Sequence, residues 1–296
     1  MTQLVQALIL GLLLGGVYAL AASGLTLVFG VMGIINVAHG AFLILSAYVT
    51  WELWHRTGID PIALTLLTMP IMFVFGWVVY QLTIRRIQGG PPAMAVLMTF
   101  GIALALAGIS GVIWSNDFKS VTPSYFNKAY HVGDFFIPAA RLYACGVAFV
   151  ILFAVWLLLT RTWLGRAIRA SAQNRDGARL MGIDVTAVAA LTFALGAATT
   201  GAGGSLISIL YAFFPSSQNL WISRVLGIIV LGGMGSLSGA FIGALLMGVA
   251  ESLVSTYIST QWTTAVPYMV IVVVLLLRPQ GLFGRTTRED VAVARG

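Results

Sequence analysis

Asn36 and His39 are the most conspicuous side chains with chemical capability near the start of the chain. They lie three residues apart in the apolar stretch VMGIINVAHGAFLILSAY, where Gly30, Gly33 and Gly40 flank them. This pattern predicts an unwound break between two helices, because an amide and an imidazole in apolar surroundings need hydrogen-bond partners inside the protein. Ordinary hydrogen bonding between helices is the alternative role.

Residue sets for enzymatic chemistry are absent from the sequence. There is no G-x-x-x-x-G-K-[ST] phosphate-binding loop, and the only lysines, Lys119 and Lys128, lie in one predicted loop. No H-E-x-x-H or G-x-S-x-G motif occurs, and the three histidines have no carboxylate at metal-ligand spacing. The single cysteine, Cys145, lies in an apolar run, so it is expected to fill the core. We therefore expect this chain to have no catalytic residues and to bind no metal or cofactor of its own.

The composition is that of a membrane protein. Of the 296 residues, 59% are hydrophobic and only 8% are charged, against roughly 25% charged residues in soluble domains. Apolar windows of about 20 residues, without β-barrel alternation, predict an all-α, polytopic helix bundle in a single domain, 1–296. The first window has no basic flank, so we expect a retained helix rather than a cleaved signal. Hydropathy places the spans at 4–29, 38–54, 61–84, 92–115, 138–160 and 186–210, followed by an apolar region at 221–277.

Arginine clusters predict the orientation of the bundle. The positive-inside rule places them in the cytoplasm, so the loops 55–60, 116–137 and 211–220 and the N-terminus face outward, and 279–296 forms a cytoplasmic tail. The clusters account for the net charge of +7 without a nucleic-acid partner. They are Arg85 and Arg86; Arg161, Arg166, Arg169, Arg175 and Arg179; and Arg278, Arg285, Arg288 and Arg295.

The region 221–277 is hard to divide into spans. An outward loop before it and Arg278 inside after it require an odd number of crossings, yet only two apolar runs stand out. The segment LGGMGSLSGA predicts a break that divides the first run into two short passes, because glycines weaken a helix. One long pass is the alternative, so eight or nine crossings remain open. The glycines of this break are Gly232, Gly233, Gly235 and Gly239.

Small residues four positions apart predict close packing between helices, because lipid provides no hydrophobic drive for their association. A role in moving helices against one another is the alternative. The sets with this spacing are Gly11 and Gly15; Ala197, Gly201 and Ser205; and Gly235, Gly239 and Gly243.

Glu251 is the one acidic residue that falls inside the predicted apolar region 221–277. An intramembrane carboxylate usually faces a cavity or a partner. Ser252, Ser255 and Thr256 follow it, and they favour a position nearer the membrane interface.

The loop RTWLGRAIRASAQNRDGARLMGID, 161–184, concentrates polarity on the predicted cytoplasmic side. Asn174 can cap the start of a short helix and Gly182 can end it. The outer face of that helix is expected to carry small and apolar side chains, which fit a groove on a soluble partner. A charged loop that only obeys the topology is the alternative. The outer-face residues are Ala178, Leu180 and Met181.

Four segments together resemble a known family. GLTLVFGVMGIINVAHGAFLILSAY, RASAQNRDGARLMGID, VLGGMGSLSGAFIGALLMGVAES and RPQGLFG are similar, in order and spacing, to the integral-membrane permeases of branched-chain amino acid ABC importers, the LivH/LivM type. The likeness extends from about Gly15 to Gly284, and the form INVAHG is more similar to LivH than to LivM.

The resemblance implies a type II ABC importer-like permease of broken helices in the bacterial cytoplasmic (inner) membrane. It implies three kinds of partner besides membrane lipid: a second, LivM-like permease, two cytoplasmic subunits that bind ATP and Mg, and a periplasmic or extracellular solute-binding protein. It places coupling to the ATPases on the loop from Ala172 to Gly182, and the translocation pathway or hinge near the first break. The coupling residues are Ala172, Asn174, Arg175, Ala178, Leu180, Met181 and Gly182; the pathway residues are Ser23, Gly33, Asn36, His39 and Gly40.

One departure bears on the substrate. Members of this family often carry an acidic residue after the AHG triplet, whereas Ala41 follows Gly40 here. Branched-chain or other hydrophobic amino acids are the expected substrates, and urea, short amides and aromatic or other organic acids are the alternatives within the same importer class. A passive channel would share the glycine-packed helices but would need no docking helix. A membrane enzyme would need an acid, base or metal constellation that the sequence lacks.

Overall fold

The computed structural model describes residues 2–284, so Arg285, Arg288, Arg295 and most of the predicted tail 279–296 lie outside the described chain. Most of the described residues are helical. In chain order the helices are α1 (Thr2–Met32), α2 (His39–Thr57), α3 (Pro61–Val79), α4 (Arg85–Ile87), α5 (Pro92–Trp114), α6 (Ala139–Arg161), α7 (Trp163–Gln173), α8 (Arg175–Leu180), α9 (Val185–Leu210), α10 (Gln218–Gly232), α11 (Leu237–Tyr257) and α12 (Val266–Leu277).

Six helices within the described residues are long and apolar enough to cross a membrane, as in a multi-pass membrane protein. These are α1, α3 with its continuation through a π-helical turn to Ile87, α5, α6, α9 and α11. The first five coincide with predicted spans. The predicted span 38–54 corresponds to α2, which carries Glu52 and Arg56 near its end.

Small residues bring α1 and α9 together at the centre of the bundle, where both helices are mostly buried. A Cβ on Gly203 would lie 2.9 Å from Cα of Ala21, so only glycine permits this distance between the two backbones. Gly11 and Gly15 bring α1 equally close to Val249 and Leu245 of α11. On another side of α9, Gly201 packs on Met72 of α3, and Ser205 Oγ lies 2.9 Å from Thr65 Oγ1. The close packing predicted for Gly11, Gly15, Gly201 and Ser205 is therefore present.

Helices α4, α7 and α8 lie at one end of the bundle, called here the arginine-rich end, where Gly33, Ile87 and Arg175 line one cavity. The predicted loop 161–184 contains not only α8 but also α7, which the sequence reading did not anticipate. Gly165, Ala167, Ile168 and Ser171 are the buried positions of α7, and this helical spacing was its signal in the sequence.

A β-hairpin occupies the opposite end, so the prediction of an all-α chain is wrong in this detail. Strand β1 (Ala129–Val132) pairs antiparallel with β2 (Phe135–Pro138). Gln6 of α1 holds the hairpin with two hydrogen bonds: its Nε2 donates to the Phe136 carbonyl over 2.6 Å, and its Oε1 accepts from the Phe136 amide over 3.0 Å. The first turn of α1 is therefore fixed to this loop.

Tyr125 precedes the hairpin and joins the loop to the start of α3, because its hydroxyl donates to Oδ1 of Asp60 over 3.2 Å. Burial raises the pKa of Tyr125 well above its usual value, and the charge of Asp60 raises that pKa further. The tyrosine therefore stays protonated and keeps this hydrogen bond at physiological pH.

The segment 211–220, predicted as an outward-facing loop, is partly buried. Phe213 exchanges two backbone hydrogen bonds with Lys119, of 2.8 and 2.9 Å, and its ring packs edge-on against Tyr48 of α2 at 4.9 Å. Pro215, Ser217 and Gln218 are also buried. The chain therefore turns into the bundle after α9, and α10 begins beside Gly40, the second residue of α2.

The helix break predicted within LGGMGSLSGA is present between α10 and α11. Gly233 and Gly235 adopt φ values of 97° and 81°, which only glycine reaches without strain. The following segment RPQGLFG folds against this turn: the amide of Leu282 donates to the Leu231 carbonyl over 2.9 Å, and that of Phe283 to the Gly232 carbonyl over 3.1 Å. Residues 279–284 are therefore part of the folded bundle rather than of a separate tail.

Candidate functional site

A break in the helical backbone separates α1 from α2. Gly33 follows the last residue of α1 with φ 66°, and its amide donates to the Phe29 carbonyl over 2.8 Å, as in a glycine-terminated helix end. The side chain of Asn36 accepts a hydrogen bond from the amide of Ala38 over 3.1 Å, and its carbonyl accepts from the amide of His39 over 3.2 Å. Asn36 thus shapes the start of α2, by a local turn that asparagine favours.

His39 connects three helices at this break and is 1% exposed. Its Nε2 lies 2.7 Å from the carbonyl oxygen of Ala21 in α1, to which the protonated nitrogen donates. Thr200 of α9 places its hydroxyl 3.3 Å from His39 Nδ1 and donates to the Gly196 carbonyl. Ala21 precedes the end of α1 by 11 residues, about 16 Å of helix, so the break returns into the bundle and α2 starts in its interior.

Two of the other predicted pathway residues, Ser23 and Gly40, are buried in the same region. Ser23 donates to the Leu20 carbonyl over 2.7 Å, so its hydroxyl is occupied locally. Gly40 faces the Gln218 carbonyl and Ile222 of α10, with no room for a Cβ. His39 therefore joins α2 to α1 and α9, and Gly40 joins it to α10, whereas Gly33 borders open space.

A cavity of about 540 Å³ lies at the arginine-rich end. Gly33 lines it from the break, Ala172 and Arg169 from α7, Gly235 from the turn between α10 and α11, and Phe283 from the C-terminal segment. The structure thus brings together three residues predicted separately, as hinge (Gly33), coupling loop (Ala172) and glycine break (Gly235).

The short helix α8 has the ends that the sequence predicts. Asn174 caps it by accepting from the amide of Gly177 over 2.9 Å, and Gly182 follows it with φ 78°. Leu180 and Met181 are 88% and 82% exposed. Exposure of two large apolar side chains, on the last residue of a short helix and the residue after it, is typical of a contact surface.

The predicted outer face of α8 is wrong for one residue: Ala178 is only 4% exposed. It precedes Leu180 by two residues, which is about 200° around a helix. Ala178 therefore lies on the inner side, and the amide of Ile183 donates to its carbonyl over 3.0 Å.

Arg175 ties α8 to the break. Its Nε and Nη2 donate to the carbonyl oxygen of Val31, over 3.1 and 2.7 Å. Val31 lies in the last turn of α1, where carbonyls have no partner within the helix. The sequence reading placed Arg175 in the coupling loop but did not identify this contact.

Glu251 lies inside the bundle, where it is 3% exposed. Arg224 of α10 donates from Nε to Glu251 Oε1 over 2.9 Å, and the Tyr18 hydroxyl of α1 donates to Oε2 over 2.7 Å. The Arg224 guanidinium also lies over the Trp221 ring, 4.9 Å from its centre. The sequence reading missed Arg224 and Tyr18; a basic residue in an apolar run was the signal for Arg224.

The glycines of the second break have two different roles. Gly239 and Gly243 of α11 lie against the backbone of Gly232 at the end of α10. Gly233 and Gly235 are in the turn itself, so Gly235 does not share a helix face with Gly239 and Gly243, contrary to the packing predicted from their spacing.

Between residues 2 and 284, no three His, Cys, Asp or Glu side chains are grouped so that they could hold a metal ion.

The chain is similar in sequence to several known transport permeases. The chain is 32% identical to the high-affinity branched-chain amino acid transport system permease protein LivH of Salmonella typhimurium, over 97% of both chains. It is 31% identical to the corresponding permease BraD of Pseudomonas aeruginosa, again over 97% of both chains. Similarity to LivM of Salmonella typhimurium is lower, 26% identity over 91% of this chain and 68% of the relative. The chain is thus of the LivH type.

No solved structure matches the chain. Residues 7–275 match the family described as the permease component of the branched-chain amino acid transport system. The matched range contains both helix breaks, α7, α8 and the ion pair of Arg224 with Glu251. The chain therefore belongs to the family of branched-chain amino acid transport permeases.

Proposed function

We propose that this chain forms half of the translocation pathway of an ATP-driven, binding-protein-dependent importer for branched-chain or other hydrophobic amino acids. The observation that carries the proposal is the exposure of Leu180 and Met181 on α8 in a chain of this family. Two solvent-exposed apolar side chains fit a groove on a soluble subunit. The sequence has no phosphate-binding loop of its own, so ATP and Mg belong to that subunit.

The proposed orientation follows from the arginines. The arginine-rich end faces the cytoplasm of a bacterium, and the hairpin with the start of α1 faces outward. Nine passes, made by α1, α2, α3, α5, α6, α9, α10, α11 and α12, satisfy this orientation. Support for counting α2 and α10 comes from their start inside the bundle, where each completes a pass after a re-entrant segment.

Four kinds of partner complete the proposed transporter. A second, LivM-like permease supplies the other half of the pathway, two ATPases dock on the α8 helices of the two permeases, and a periplasmic or extracellular solute-binding protein delivers the substrate to the hairpin end. Membrane lipid surrounds the exposed apolar faces. Asn36, His39 and Gly40 border the pathway when the helices at the first break move apart, with Gly33 and Ser23 on either side of the hinge.

Reconstitution tests this proposal. The chain is assembled with the second permease, both ATPases and the binding protein in liposomes, and uptake of labelled leucine is measured with and without ATP. Uptake that needs ATP and the binding protein supports the importer, while leucine flux through this chain alone, without nucleotide, contradicts it and indicates a passive channel. Uptake of labelled urea, a short amide and benzoate is measured in parallel to determine the substrate class, because Ala41 stands where members of the family often carry an acidic residue.

A further inference from the structure

The end of α1 depends on a side chain from another part of the sequence. Helix α1 ends at Met32, so the carbonyl of Val31 has no partner within the helix. The two hydrogen bonds from Arg175 satisfy that carbonyl, and the positive guanidinium lies at the negative end of the helix dipole. Arg175 is the first residue of α8, so the contact joins the two helices directly.

The contact lies next to the break. Gly33 is two residues beyond Val31, and its left-handed backbone opens the extended segment that leads to Asn36 and His39. A displacement of the Val31 carbonyl therefore acts on the hinge without an intervening flexible loop.

Space beside the contact allows such a displacement. The cavity lined by Gly33, Ala172 and Gly235 separates α7 from the turn between α10 and α11. Because this volume is open, α7 and α8 do not pack tightly against that turn. On the other side, Ala178 buries α8 against the body of the bundle, which leaves Arg175 as its polar tie to α1.

We propose that Arg175 is a positioning residue that transmits the displacement of α8 to the break between α1 and α2. The inference rests on the proposed function, because a docked ATPase must displace α8. Arg175 does not contact the substrate; it fixes the end of α1 to the helix that the ATPase moves.

The test measures solute uptake per ATP hydrolysed in liposomes that contain the whole transporter. Arg175→Ala is expected to keep ATP hydrolysis while uptake per ATP falls about tenfold, because two charge-assisted hydrogen bonds are lost. Arg175→Lys keeps a donor for the Val31 carbonyl and is expected to restore part of the ratio. Arg166→Ala is the matched control, since Arg166 is exposed on α7 and the variant is expected to keep the wild-type ratio.

Three results would overturn the inference. The first is a wild-type ratio in Arg175→Ala. The second is a parallel loss of hydrolysis and uptake, which would make Arg175 a docking contact. The third is loss of assembly in both the alanine and the lysine variants, which would make it a folding residue. Failure of the proposed function has a different signature, namely wild-type transporter that carries solute without ATP.

Discussion

Arg224 donates a hydrogen bond from Nε to Oε1 of Glu251 over 2.9 Å, and both side chains are more than nine-tenths buried. Tyr18 donates to the second carboxylate oxygen over 2.7 Å. The pair therefore links α1, α10 and α11 inside an apolar bundle. A buried pair of this kind contributes little relative to apolar residues of the same size, but loss of one partner leaves an uncompensated charge.

Glu251→Ala is expected to destabilise the protein by about 3 kcal/mol, because Arg224 is left buried without its counter-ion. Tyr18→Phe is expected to cost about 1–2 kcal/mol, since the hydroxyl loses its hydrogen bonds to Glu251 and Tyr211 but leaves no unpaired charge. Thermal unfolding of the purified chain in detergent measures both. As a control, the double variant Arg224→Met, Glu251→Met should recover most of the lost stability; a double variant as unstable as Glu251→Ala would contradict the charge explanation.

Leu180→Asp or Met181→Arg is expected to lower ATP-dependent uptake by at least about tenfold, because a charge replaces an apolar contact at the proposed docking surface. Both side chains are exposed, so the variants should fold and insert normally. Uptake in reconstituted liposomes and retention of the ATPase on the purified complex are the measurements. Leu180→Met keeps the apolar character and serves as control; full uptake by Leu180→Asp would show that α8 does not dock an ATPase.

Asn36→Leu and His39→Leu are expected to slow uptake without preventing assembly. Asn36→Leu removes the acceptor of the Ala38 amide in the turn that precedes α2, at a cost of about 1 kcal/mol, typical of a lost hydrogen bond. His39→Leu leaves the Ala21 carbonyl with its own bond inside α1. Asn36→Asp keeps the acceptor and is the matched control. The measurement is the initial rate of uptake. Wild-type rates in both leucine variants would show that Asn36 and His39 form only structural hydrogen bonds.

Gly11→Ala is expected to destabilise the chain by about 1–3 kcal/mol, because the added methyl lies 2.6 Å from the backbone of Val249, which cannot move aside alone. Gly146→Ala on α6 is the matched control, since its added methyl meets no atom within 4 Å. It is expected to be neutral or slightly stabilising. Unfolding temperatures in the same detergent compare the two; equal values would argue against close packing of α1 on α11.

Local signals were predictable from the sequence. Both helix breaks were predicted, because glycine residues weaken a helix and readily adopt positive φ values. Gly33 and Gly233 adopt such values at the two breaks. The cap at Asn174 was predicted from its side-chain acceptor, and the helix end at Gly182 from the backbone freedom of glycine. Each of these features depends on a few neighbouring residues.

Features that depend on distant partners were not predictable. The prediction that Ala178 lies on the outer face of α8 was wrong, because burial depends on what packs against a helix rather than on the residue type. Arg175 and Val31 are 144 residues apart, and no spacing rule connects them. The segment 211–220 resembles an exposed turn, yet Phe213 is buried because Lys119 and Tyr48 lie beside it.

Helix α1 is held at both ends by side-chain hydrogen bonds, through Gln6 to the hairpin and through Val31 to α8. It is one unbroken helix of 31 residues, about 46 Å long. A helix of this kind cannot shorten, so a shift imposed at one end must reappear at the other as a shift or a tilt. Contact with a protein at the hairpin end and contact at α8 are therefore mechanically dependent on each other, although no side chain reaches from one to the other.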